Sequence, residues 1–217
     1  MASYIRMFDQ VRSKDVKLVG GKNSSLGEMT YKLKSKGVPV PPGFATTADA
    51  FRDFLRLGKI AKEVWSRVEA IDVTDTDELV REGKALRELI MATPIPEALE
   101  REIKDAYEKL SKSVGVANLD VAVRSSATAE DLPSASFAGQ HDSYLNVKGQ
   151  SDVVEAVKQC FASLFTNRAI SYRVNHRFKH RKVAMSVGVQ MMVRSDRAAA
   201  GVMFTIDTES GFPNVVA

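Results

Sequence analysis

Asp120-Val-Ala-Val-Arg124-Ser-Ser-Ala-Thr128-Ala-Glu-Asp131 sets a short apolar alternation against a run of small hydroxyl residues and two acids. The alternation predicts a strand from Asp120 to Ser126. An arginine at its end can fork two phosphate oxygens, and Ser125, Ser126 and Thr128 add donors that are easily buried. A second reading of the same residues stands beside it: Arg124 pairs with Glu130 or Asp131, and Thr128 caps a helical turn through Asp131.

Downstream, Ser134-Ala-Ser-Phe-Ala-Gly139-Gln140-His141 gathers small residues around one aromatic, as in a flap over a ligand or in an ordinary glycine-containing turn. Strand and turn are expected from Phe137 to Val147, a helix from Ser151 to Arg173, and strands over Val183–Val193 and Ala198–Ile206. Asp207-Thr-Glu-Ser-Gly reads as a hairpin turn, with a return strand begun at Val215-Val216-Ala217 and shorter than its partner, so the closing element is expected beyond Ala217.

Upstream, apolar residues at three- and four-residue spacing predict helices over Asp49–Ile71, Thr76–Thr93 and Pro96–Lys112. Prolines 39, 41 and 42 keep Val38–Thr47 extended, and Thr46 or Thr47 then caps the helix that follows. Val19-Gly20-Gly21-Lys22 is a tight glycine turn feeding a helix from Asn23 to Lys36. Two glycines that let backbone N–H groups approach an anion, with a lysine at a helix start, make either an anion site or a plain turn carrying a surface lysine; the P-loop pattern is not matched. The fold class is α+β, divided at residue 115 into an N-terminal subdomain (1–115) holding the glycine-lysine loop and the helical segment, and a strand and flap region (116–217).

Composition narrows the partners. The 217 residues are 44% hydrophobic and 27% charged, with 31 Lys and Arg against 27 Asp and Glu, a mild basic excess suited to an anionic ligand. One cysteine, Cys160, excludes an internal disulfide and a cysteine zinc site, and its apolar surroundings favour a buried small hydrophobe over a nucleophile. Arg6, Asp9 and Arg12 stand where a signal peptide needs an apolar run, so a cytoplasmic protein without membrane contact is expected. Arg173, His176, Arg177, Lys179, His180, Arg181 and Lys182, with Tyr172 and Phe178 interleaved, could bind nucleic acid, but a solvated helix end is the reading favoured and no nucleic-acid partner is expected.

VGGKNSSLGEM, VPVPPGFATTADAF, AVRSSATAEDLPSASFAGQHDSYLNVKG, SLFTNRAISYR, VGVQMMVRSD and AAGVMFTIDTESGF follow one another over essentially the whole chain. Together they closely resemble the phosphoenolpyruvate synthases of the pyruvate phosphate dikinase family, with the rifampicin phosphotransferases more distant. The resemblance implies an ATP-grasp-like nucleotide region with an inserted helical segment, ATP and Mg2+ as cofactors, and a β-phosphoryl passed to a histidine on a swivelling domain and then to pyruvate in a barrel domain. It matches Lys22 and Arg124 to phosphate-binding positions, Gly139 and Gln140 to the flap, and Gln190, Met191, Met192 and Val193 to the adenine strand and hinge. The metal ligands, the phosphohistidine and the pyruvate site would lie beyond Ala217, so no catalytic residue or metal ligand is expected here, none of His141, His176 and His180 is a phospho-acceptor, and the chain alone would be inactive. A homodimer is expected of the complete protein. A rifampicin-type phosphotransferase and a nucleotide-binding module without chemistry are the alternatives.

Overall fold

The computed structural model describes residues 3–129 and 142–216. Alternating apolar segments form β1 (Ile5–Met7), β2 (Gly43–Thr46), β3 (Val121–Ala127), β4 (Ser143–Val147) and β5 (Met185–Met191). They join in one antiparallel sheet of order β1-β2-β5-β3-β4, which draws strands from both sides of residue 115. Around it pack α1 (Val16–Lys34), α2 (Ala48–Leu57), α3 (Ala61–Ala70), α4 (Thr76–Ala92), α5 (Glu97–Ser113), α6 (Gln150–Ser163) and α7 (Asn167–Asn175). The α+β class read from the sequence is the one observed.

Register gives the two faces of the sheet different chemistry. Val123 pairs with Val189 and Ala127 with Met185, and these side chains point to the main core with Val157, Cys160 and Phe161 of α6. Phe161 anchors that core, its ring 5.3 Å from Phe51 and 5.5 Å from Phe54. Burial of such aromatics is among the larger single contributions to stability. Cys160 is fully buried here and burial raises its thiol pKa, consistent with a small hydrophobe rather than a nucleophile. On the opposite face the paired residues are small or polar: Ser126 with Ser186, Arg124 with Gly188, Ala45 with Gly188 on the other side. That face receives α1.

Four expected elements differ in detail. The helix expected over Asp49–Ile71 is two, α2 and α3, because Gly58, Lys59 (φ 60°) and Ile60 turn the chain between them. The helix expected over Ser151–Arg173 breaks after Ser163, where Thr166 restarts α7 by accepting the Ala169 N–H at 3.3 Å. Ala198–Ile206 forms no strand: no described strand lies alongside to complete a ladder, and Val202 and Met203 are largely exposed. The turn after it does form, with the Asp207 carboxylate accepting the N–H groups of Glu209 and Ser210. The expected return strand at its far side is absent from the described residues up to 216.

The basic segment behind α7 is partly structural. Arg173 is fully buried and donates to the Leu164 carbonyl at 2.7 Å and to His180 Nδ1 at 2.9 Å, while its Nη2 has no partner among the described residues. Burial pulls the guanidinium down to about 9; burial first, and then the Arg173 charge, hold His180 down to about 4. Arg181 forks onto both oxygens of Glu69 at 2.7 and 3.0 Å, and Phe178 packs against the core. No helix among the described residues is long and apolar enough to cross a membrane.

Candidate functional site

The site begins with a break in α1. Val16–Val19 make one helical turn, Gly20 leaves helical geometry at φ 76° and ψ 169°, and the helix resumes from Gly21. The glycine turn expected before Asn23 is this break, set inside a longer helix. Gly20 is required twice over: its φ is in the left-handed region, and an added Cβ would stand 2.2 Å from the Ser126 carbonyl oxygen. The restarted helix therefore lies directly on β3.

Asn23 fastens it there. Its backbone N–H donates to Ser126 Oγ at 3.3 Å, supplying a partner for one of the donors that a helix start leaves unsatisfied. Its side-chain Nδ2 donates to Ser186 Oγ at 2.9 Å, and Ser186 Oγ donates onward to the Thr46 carbonyl. Asn23 Oδ1 fills the space that a side chain on Gly188 would take, 2.2 Å from the position of such a Cβ. Asn23 thus ties α1 to β3 through its backbone N–H, and to β5 and onward to β2 through its buried carboxamide and Ser186.

The neighbours of this knot form a crevice lined by Phe8, Lys22, Asn23, Leu26, Arg124, Gly188 and Gln190. Lys22 is half-buried at the helix restart, and Arg124 is exposed on the α1 face of β3, directly opposite Gly188. Two cations from distant parts of the sequence thus border one narrow space of about 10 Å3, room for about one water. Gln190 reaches the crevice from β5 and donates from Nε2 to the Pro41 carbonyl at 3.0 Å, which ties the proline segment to the sheet.

The hydroxyls read as phosphate donors are otherwise engaged. Ser125 points to the opposite face and donates to the Asp142 carbonyl at 3.0 Å. Ser126 is buried under Gly20 and Asn23. Thr128 donates its N–H to the Ala184 carbonyl at 3.0 Å and its Oγ1 accepts the Ala184 N–H at 3.1 Å, extending the β3–β5 pairing; the helical turn expected through Asp131 lies outside the described residues.

Of the residues singled out by sequence, Lys22, Arg124 and Gln190 meet in the crevice. Met191 pairs with Val121, packs against the main core on the other face and donates its N–H to the Pro42 carbonyl. Met192 is half-buried past the end of β5, with its N–H on the Asp120 carbonyl, and Val193 is exposed. Gly139 and Gln140 lie outside the described residues. Asn23 and Gly188 were not singled out, although a glycine in the middle of Ser186-Val-Gly-Val-Gln190 is a signal of close approach by another backbone or side chain.

Residues 16–217 match the family described as pyruvate phosphate dikinase, AMP/ATP-binding domain. The chain belongs to that family. The matched region opens at the first residue of α1 and so takes in the glycine break and every described residue of the crevice except Phe8. Among curated proteins, this member of the pyruvate phosphate dikinase AMP/ATP-binding family is 53% identical over 214 residues to the phosphoenolpyruvate synthase of Neisseria meningitidis serogroup B, covering 99% of this chain and 27% of that protein. It is 54% identical to the phosphoenolpyruvate synthase of Synechocystis, covering 97% of this chain and 26% of the relative. It is 52% identical to that of Escherichia coli K12, covering 96% and 26%. The chain therefore spans about a quarter of the length of the curated relatives it matches.

Proposed function

We propose that this chain is the phosphate-holding wall of an ATP site, in the ATP-grasp-like region of a phosphoenolpyruvate synthase. The observation that carries the reading is the meeting of Lys22 and Arg124 across one crevice in a member of an AMP/ATP-binding family. Phosphoryl transfer depends on positioned positive charge more than on covalent chemistry by the protein, and a lysine and an arginine on separate rigid elements supply it. Lys22 acts as a point charge and Arg124 as a planar fork on polyphosphate oxygens. Gln190, Met192 and Val193 edge the adenine, while the Met191 side chain, turned to the core, anchors their strand. Gly139 and Gln140 close over the phosphates.

The crevice is far smaller than the roughly 300–1,000 Å3 of a ligand pocket. In this reading the rest of the nucleotide rests on further parts of the complete protein, which converts pyruvate, ATP and water to phosphoenolpyruvate, AMP and phosphate in the cytoplasm. The β-phosphoryl goes to a histidine outside these residues and then to pyruvate, and the γ-phosphoryl goes to water. Among the described residues no group of three or more His, Cys, Asp or Glu side chains could hold a metal ion, and no step is routed through Mg2+ here.

Calorimetric titration of MgATP into the complete protein tests the reading. Arg124→Ala and Lys22→Ala are each expected to weaken binding by about 30-fold or more, the scale of a lost charged partner to phosphate. Unchanged affinity in both variants would remove the crevice from the nucleotide site.

A further inference from the structure

The two cations of the crevice sit on elements that meet only through α1's seat on the sheet. Lys22 belongs to a helix whose first turn is unanchored by its own backbone, because Gly20 interrupts the ladder. Arg124 belongs to β3, held by β5 along seven paired positions. The distance between the two charges is therefore set by whatever fixes the helix restart to β3 and β5, and Asn23 does both, its backbone N–H on β3 and its side chain on β5. Its N–H ends on Ser126, two residues from Arg124 on the same face, and its Nδ2 ends on Ser186, two residues from Gly188 on the same face. Ser186 is in turn held by the Thr46 carbonyl, so the chain of donors crosses from α1 through the central strand to β2. Asn23 is 2% exposed and Ser186 fully buried, so both act in a medium where an unmade hydrogen bond is costly and few alternative partners exist.

We propose that Asn23, oriented by Ser186, is a positioning residue for the nucleotide phosphates: it holds Lys22 at the separation from Arg124 that a polyphosphate spans. The inference rests on the ATP reading above and adds to it a residue that acts through Lys22. A side chain that only stabilised the fold would weaken binding to the same degree whether or not Lys22 kept its amine. One that acts through Lys22 has nothing left to position once that amine is gone.

The experiment is a double-mutant cycle on the complete protein, with MgATP affinity read by calorimetry. Ser186→Ala and Asn23→Ala are each expected to weaken binding roughly 5- to 20-fold in the native background and less than about twofold in the Lys22→Ala background. Should Asn23→Ala fail to fold, Ser186→Ala decides alone, since it removes one buried oxygen and does not line the crevice. Equal losses in both backgrounds, or no loss in the native one, overturn the positioning role while leaving the ATP site standing. Unchanged affinity in Lys22→Ala and Arg124→Ala overturns the ATP reading first, and the positioning role with it.

Discussion

Gly188→Ala is the smallest change that probes how the crevice is built. The added methyl would stand 2.2 Å from Asn23 Oδ1 and 3.2 Å from Asn23 Cγ, so the carboxamide must retreat by about 1 Å to reach ordinary contact. It has little room, being 2% exposed and tied to Ser186. Overpacking of this kind costs about 1–3 kcal/mol. If Asn23 gives way, the lost bond to Ser186 adds about 1 kcal/mol. The variant is thus expected to be about 2–4 kcal/mol less stable, read as a lowered urea midpoint at unchanged m-value, and to bind MgATP about tenfold more weakly as α1 lifts. Gly201→Ala is the control, because a methyl there meets nothing within 4 Å. Equal midpoints for the two variants would refute the close seating of Asn23 on β5.

Two further outcomes are expected. His180 has its pKa lowered from 6.5 to about 4, so the folded form binds its proton less readily than the unfolded one. Its contribution is harmless above pH 6.5, destabilising as pH falls through that window, and complete below about 4, where it amounts to about 3 kcal/mol. His180→Gln should flatten the decline in urea midpoint between pH 6.5 and 4, and an unaltered pH profile would show that the imidazole is not held neutral. Thr166→Ala removes the cap of α7 and should cost about 1 kcal/mol, whereas a loss below a few tenths in the same assay would mean that packing of Phe165 alone sets the break between α6 and α7.

The strands β3 and β5 and most helices were legible because their apolar residues recur at periods of two or near 3.6. The breaks at Gly58–Ile60 and at Leu164–Thr166 were not, since the apolar period runs on through them and the chain turns there on Lys59 in left-handed backbone and on the Thr166 cap. β1 is three residues, too short to carry a period of its own, and exists by pairing with β2. In the site, Lys22 and Arg124 could be named as cations beside small residues, but their meeting depends on register, Arg124 opposite Gly188, which no local pattern encodes. Ser125 and Thr128 misled for a related reason: strand parity and a neighbouring backbone, not side-chain chemistry, decide where their hydroxyls point.

The strand order has a consequence for the newborn chain. β5 lies in the middle of the sheet yet is the last made of the described strands, about 140 residues after its neighbour β2. At ribosomal speeds of roughly 5–20 residues per second, the edge of β2 waits about 7–28 seconds and that of β3 about 3–12 seconds before the strand that joins them emerges. Until then the two halves of the sheet are open templates, and a chaperone or a neighbouring nascent chain meets them before the protein's own centre does.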